Sequence, residues 1–152
     1  MINKPKNGKF PTGSELKVQC QLVADLVPFS RNARTHSKKH IRQIAESIKT
    51  FGFTNPILVD QDSMVIAGHG RLEAAKHIGL TDVPVIQLND LNEEQVRAYI
   101  LADNRLAELA GWDEEIVATE LQYLLEMDLE FDVGVIGFET AEIDLMIERA
   151  NP

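Results

Sequence analysis

The sequence has a single cysteine, Cys20, which rules out an internal disulfide framework and any multi-cysteine zinc site. It has no apolar run approaching the roughly 20 residues that a membrane span requires. The opening stretch MINKPKNGKFPTG lacks the apolar core of a secretory signal, so a soluble, cytoplasmic protein is expected. HExxH, Cys/His zinc spacing and the Gly-x-Ser-x-Gly elbow do not occur, nor does an internal repeat. Positive charge is also short overall, with 15 Lys and Arg against 24 Asp and Glu, for a net charge of −9.

The deficit is uneven. Residues 1–50 carry +7 and residues 51–152 carry −16. A basic front half suits a polyanion, whereas an acidic back half repels duplex DNA, whose affinity rests on neutralising phosphates. Nonspecific wrapping of DNA by this chain alone is therefore not expected. At 152 residues, one compact domain with a small helical appendage fits the length.

Residues 1–14 are polar, rich in Lys, Gly and Pro, and without period, which reads as a disordered tail. From Leu16 to Val23 apolar and polar residues alternate (Leu16, Val18, Cys20, Leu22), the mark of a half-buried strand, with Cys20 as a buried structural thiol. Ser37 suits the N-cap of a helix whose apolar positions Ile41, Ile44, Ala45, Ile48 and Phe51 repeat at helical spacing, with Gly52 as its stop. Strands over Ile57–Val59 and Met64–Ala67 flank a turn at Asp60–Ser63. A helix over Arg71–Ile78 then ends at Gly79, and Val83–Leu88 forms a further strand. Asn92 with Gln95 makes a capping-box pattern for a helix to about Leu109. Asp113 caps a helix through about Met127, and Thr140 starts a last one to Arg149. The class is α/β (α+β), a small mixed sheet with interleaved helices followed by a helical C-terminal extension.

The segment Val65–Gly79, VIAGHGRLEAAKHIG, carries the most chemistry. An apolar strand runs through Gly68-His69-Gly70-Arg71 directly into a helix, as a phosphate cradle requires. Glycines admit positive φ and close backbone approach, and the helix start presents free N–H groups and partial positive charge. Arg71 offers a planar fork, and His69 a donor whose charge changes near neutral pH. The same residues also serve an ordinary strand-turn-helix junction.

Four blocks in order, NARTHS (32–37), GFTNPILV (52–59), IAGHGRLEAA (66–75) and ADNRLAE (102–108), resemble the N-terminal domain of the ParB family, the ParB/sulfiredoxin fold, over roughly residues 18–110. In that family a Gly-x-x-Gln-Pro, a Gly-Glu-Arg-Arg and a Glu-Asn segment surround a nucleoside triphosphate. Here they stand as Gly52-Phe53-Thr54-Asn55-Pro56, Gly68-His69-Gly70-Arg71 and Asp103-Asn104. The likeness is greatest to ParB-like domains of phages and mobile elements that are fused to, or encoded beside, DNA methyltransferases. Segregation ParB proteins continue into a helix-turn-helix and a dimerisation domain. Neither follows here, so a centromere-clamp role is not expected, and the stop at Pro152 leaves a longer methyltransferase fusion open.

The resemblance implies a domain at 15–110 and an extension at 111–152. It implies that Gly68, His69, Gly70 and Arg71 hold phosphates, joined by Arg34 and His36 from the basic loop, with Thr54 and Asn55 near base and sugar. Asp103 and Asn104 supply hard oxygens for Mg²⁺ beside the phosphates. Each has a plainer reading: Arg34 and His36 as exposed loop residues, Asn55 as a turn organiser, Asp103 and Asn104 as helix surface. His40 and His77 read as structural or exposed. The implied ligands are CTP or ATP with Mg²⁺, and the implied partners are DNA, met directly or through another chain, and a DNA methyltransferase domain or subunit. A homodimer is left open. An Mg²⁺-dependent nuclease or phosphotransferase, with Asp62 and Glu73 as candidate carboxylates, and a non-catalytic interaction domain are the alternatives. Sulfiredoxin chemistry is disfavoured, since its Gly-Cys-His-Arg motif needs a cysteine at this turn.

Overall fold

A computed structural model describes residues 16–32 and 34–152; the proposed tail at 1–14 lies outside the described residues. In chain order the elements are β1 (Val18–Leu22), a 3₁₀ turn (Val23–Asp25), α1 (Lys38–Phe51), β2 (Ile57–Val59), β3 (Val65–Ala67), α2 (His69–Ile78) and β4 (Asp82–Gln87). Then come α3 (Glu93–Leu109), α4 (Glu114–Glu126), a second 3₁₀ turn (Val133–Ile136) and α5 (Thr140–Ala150). The sheet order is β1-β4-β2-β3, with β4 antiparallel to β1 and parallel to β2, and β2 antiparallel to β3. This is the mixed sheet with interleaved helices that the sequence implies.

The two-residue period of a strand divides the core between the two faces of the sheet. Ile57, Val59, Val65, Val83 and Val85 join Leu72 and Ala75 of α2 on one face. Ile66, next to Val65 in sequence, joins Leu88, Val96 and Ile100 on the other, where α3 covers the sheet. Helices on both faces thus fix the two ends of the site, the start of α2 and the middle of α3. A parallel bridge between Val27 and Met64, with Val65 N donating to Val27 O at 2.8 Å, ties the loop ahead of α1 to β3.

The local signals behave as their chemistry dictates. Ser37 Oγ accepts from His40 N at 3.0 Å, and Asn92 and Gln95 close a reciprocal capping box. Asp113 Oδ1 accepts from Ile116 N at 3.2 Å. The extension docks back on the domain. Phe131 meets Phe51 of α1 edge-on with ring centroids 5.7 Å apart, and Lys39 pairs with Glu139.

Two expectations need correction. Cys20 is exposed rather than buried, and Val18 on the same face is 61% exposed. β1 is an edge strand, paired only with β4, and among the described residues no helix packs over the face that its alternation marks as apolar. The alternation identifies a strand; coverage of its face is a tertiary matter. The helix expected from Arg71 begins at His69, because Gly68, at φ 106° and ψ 25°, is itself the N-cap.

Candidate functional site

Gly68 takes the left-handed conformation that lets β3 turn into α2 without an intervening loop. Leu72 N is the first amide bonded back, to Gly68 O at 2.9 Å, so the amides of His69, Gly70 and Arg71 open the helix without an intrahelical acceptor. Gly70 is buried against α1. A Cβ there would lie 2.9 Å from Ile44 Cδ1 and 3.0 Å from His36 Cε1, so a side chain must displace Ile44 of α1 and the His36 ring ahead of it.

Of the ten site residues read from the sequence, eight line one cavity of about 290 Å³: Arg34, His36, Gly68, His69, Gly70, Arg71, Asp103 and Asn104. They come from three segments: the basic loop, the α2 start, and two successive positions of α3. Thr54 and Asn55 are exposed and line no described cavity. Their segment still touches the site, since Arg71 Nη2 donates to Pro56 O at 3.1 Å.

Arg71 has the most telling environment. Its Nε is buried with no hydrogen-bond partner. Burial pushes its pKa down from the usual value, while Asp103 and Tyr99 push it back up. A guanidinium holds its charge in proteins, so the site carries a desolvated cation with an unused donor. Asp103 shares Oδ1 with the Tyr99 hydroxyl at 3.5 Å. Burial, then Asp103, raises the Tyr99 pKa. Asn104 Nδ2 donates to Ile100 O at 2.8 Å, which fixes the amide and leaves its carbonyl oxygen free of that bond.

His69 differs from expectation. Its Nε2 accepts from the Phe29 backbone N–H at 3.1 Å, and burial, with a contribution from His36, lowers its pKa. Its expected change of charge near neutral pH is therefore shifted to lower pH, and Nε2 is an acceptor rather than a donor. His36 Nδ1 lies 2.8 Å from His40 Nδ1, so His40 also enters the cavity wall. This pairing gives His40, read as structural or exposed, a partner in the loop ahead of α1. The signal was the four-residue spacing from His36, obscured because His36 precedes the helix. Arg34 Nη1 donates to Glu108 Oε1 at 2.6 Å, clamping the basic loop onto α3. Asp62 and Glu73, the candidate carboxylates for hydrolysis, line two different cavities and do not converge.

The arrangement suits a phosphate chain with a hard cation. Helix-start amides and Arg71 are donors of the kind that meet phosphate oxygens, and Asp103 and Asn104 bring side-chain oxygens to the same cavity. Among the described residues no three His, Cys, Asp or Glu side chains gather as a metal-ligand set.

Residues 14–105 match the family described as the ParB N-terminal domain. The chain belongs to that family. The ParB-like nuclease domain-containing protein YnaK of Escherichia coli (strain K12) is 47% identical over 81 residues, covering 53% of this chain and 93% of YnaK. The nucleoid occlusion protein of Halalkalibacterium halodurans is 30% identical over 123 residues, covering 78% of this chain and 42% of that protein. A crystal structure of C-terminally truncated chromosome-partitioning protein ParB from Caulobacter crescentus, complexed with CTP-gamma-S, superposes with a TM-score of 0.69 at 21% identity. It covers 86% of this chain and 77% of the ParB chain, and the likeness is one of fold.

Proposed function

We propose that this ParB-type domain binds a nucleoside triphosphate, CTP or ATP, with Mg²⁺, and acts in partition-type DNA metabolism or DNA modification. The observation that carries the reading is Arg71: a buried guanidinium with an unpartnered Nε, next to three amides without intrahelical acceptors and in one cavity with Asp103 and Asn104. A phosphate supplies the acceptor that this donor lacks, and an unmet buried donor is costly to keep. The CTP-gamma-S complex of the Caulobacter relative favours CTP. Thr54 and Asn55 are assigned to base and sugar by the family resemblance of their segment, whose Pro56 O accepts from Arg71 Nη2. Arg34 and His36 complete the phosphate end.

In this reading the nucleotide-binding unit is residues 15–110 and residues 111–152 form its helical extension, in a cytoplasmic protein. DNA is met directly or through a partner chain, for which a DNA methyltransferase domain or subunit remains our proposal, and a homodimer is compatible with it. A nuclease reading has YnaK's name behind it. It has less geometric support, because Asp62 and Glu73 lie apart.

Calorimetric titration with CTP, ATP and GTP, with and without Mg²⁺, tests the proposal. One nucleotide is expected to bind saturably and with metal dependence. Arg71→Ala should weaken it at least tenfold, on the order of the 1.5–3 kcal/mol of a hydrogen bond to a charged group. Arg71→Lys should not restore it, since an ammonium cannot reproduce the planar fork. Asp103→Ala should abolish the Mg²⁺ dependence. Unchanged binding in Arg71→Ala would overturn the assignment.

A further inference from the structure

His36 joins two structures that have no other link. Its Nδ1 lies 2.8 Å from Nδ1 of His40, in the first turn of α1, with the ring centroids 4.8 Å apart. Its Cε1–Nε2 edge lies on the first turn of α2, where a Cβ built on Gly70 would be 3.0 Å from Cε1 and 3.2 Å from Nε2. The Gly70 amide is one of those that open α2 without an intrahelical acceptor. One ring nitrogen is thus spent on a second histidine, and the other sits beside a helix start that favours anions.

The short distance between the two Nδ1 atoms limits how the pair can be protonated. One must donate and the other accept, because two bare nitrogens repel and two N–H groups oppose each other. The neutral pair therefore holds one hydrogen between the rings and one on an outer Nε2. A further proton fits on the remaining outer Nε2 without disturbing the bridge. Beyond that, N–H would be set against N–H and the pair would break. The pair is built to take up a single proton.

The charges around His36 decide when that proton binds. Arg34 of the same loop and Arg71 of α2 line the site cavity with it, and Lys38 and Arg42 of α1 line the neighbouring cavity that His36 also borders. Against these stand Asp103 of α3 and Glu73 of α2, the latter paired with Lys76. His40 and His69 complete the titratable groups of the site cavity, and His77 lies further along α2. Burial, then His40 and Arg34, hold His36 below its ordinary pKa. A polyphosphate brings several negative charges to the same cavity and reverses the balance, since a nearby anion favours the charged imidazole.

We propose that binding of a triphosphate draws one proton from solvent onto the His36 and His40 pair, leaving His36 as an imidazolium that donates from Nδ1 to His40 and presents an Nε2–H beside the start of α2. The proposal rests on the triphosphate reading of the cavity and adds to it a dependence of affinity on pH.

The test is calorimetric titration of the full chain with CTP and with ATP, at saturating Mg²⁺, in PIPES and in Tris, two buffers of very different ionisation enthalpy. At about pH 7 the difference in heat between the buffers should correspond to uptake of about half a proton or more per nucleotide bound. By reciprocity, affinity should rise about threefold between about pH 8 and about pH 7. His36→Gln is the reference in which the nucleotide's own protons cancel, and it should lack the uptake that wild type shows beyond it. The His36 Cε1–H resonance gives the answer without a variant: its titration midpoint should move up by about one pH unit when nucleotide is bound. Saturable binding with the same heat in both buffers would overturn the proposal and leave the triphosphate reading standing, as would a His36 midpoint that nucleotide does not move. Undiminished uptake in His36→Gln would place the proton on another group and overturn it as well. Binding of neither nucleotide would remove the reading and the proposal together.

Discussion

His69 Nε2 accepts a hydrogen bond from the Phe29 N–H at 3.1 Å, fastening the loop ahead of α1 to the first turn of α2. The bond requires an unprotonated Nε2, because a protonated ring would present N–H to N–H. Burial, His40 and Arg34 likewise hold His36 below its ordinary pKa, so two histidines in the same wall favour their neutral forms.

The pH dependence has a definite sign. With folded pKa values below the unfolded value of about 6.5, the unfolded chain binds more protons in the window between them, so stability falls as pH falls. The contribution is fully present above about pH 6.5 and is lost towards the lowered folded values. Denaturant midpoints should drop between about pH 7.5 and about pH 5.5. His69→Gln, which keeps an acceptor but cannot take up charge, should flatten part of that drop. An equal drop in His69→Gln and wild type would refute the role assigned to His69.

The local devices of this fold were legible because each lies within a few residues of sequence. Ser37, Asn92 with Gln95, and Asp113 satisfy helix N–H groups one turn away, and their side chains announce it. The eight candidate residues that meet in one cavity were legible through their blocks, not through any single residue. What escaped is what depends on distant partners. Cys20 lies on a strand whose apolar face is left uncovered. Arg34 meets Glu108 across 74 residues of sequence, and no local pattern encodes that pair. The early start of α2 escaped for a different reason, since a glycine before a helix marks either a loop or a left-handed cap, and the sequence is the same for both.

Gly70 makes a prediction about packing. Alanine in its place gains helix propensity of up to about 1 kcal/mol. Its Cβ would press on Ile44 Cδ1, the free end of a flexible chain, and on the His36 ring, which is held by His40 at 2.8 Å. Ile44 can turn away; the ring moves only by giving up its partner. Overpacking of this kind costs about 1–3 kcal/mol, so Gly70→Ala should be net destabilising. A double-mutant cycle with His36→Ala should recover most of the loss. Additive effects would show that the ring is not the obstacle.

Glu108 makes the last prediction, and it separates stability from binding. Its pairs with Arg34 at 2.6 Å and Arg105 at 3.2 Å are exposed, and exposed pairs contribute about 0–1 kcal/mol. Glu108→Gln should therefore change the thermal midpoint little. It removes a carboxylate that competes with phosphate for Arg34 at the cavity rim. Triphosphate affinity should rise severalfold at low salt and converge with wild type at high salt, because the interaction is screened. Nucleoside monophosphate affinity should not change, and Arg34→Ala should erase the gain. Weaker triphosphate binding in Glu108→Gln would reverse the roles, making Glu108 the residue that positions Arg34 for phosphate rather than the one that withholds it.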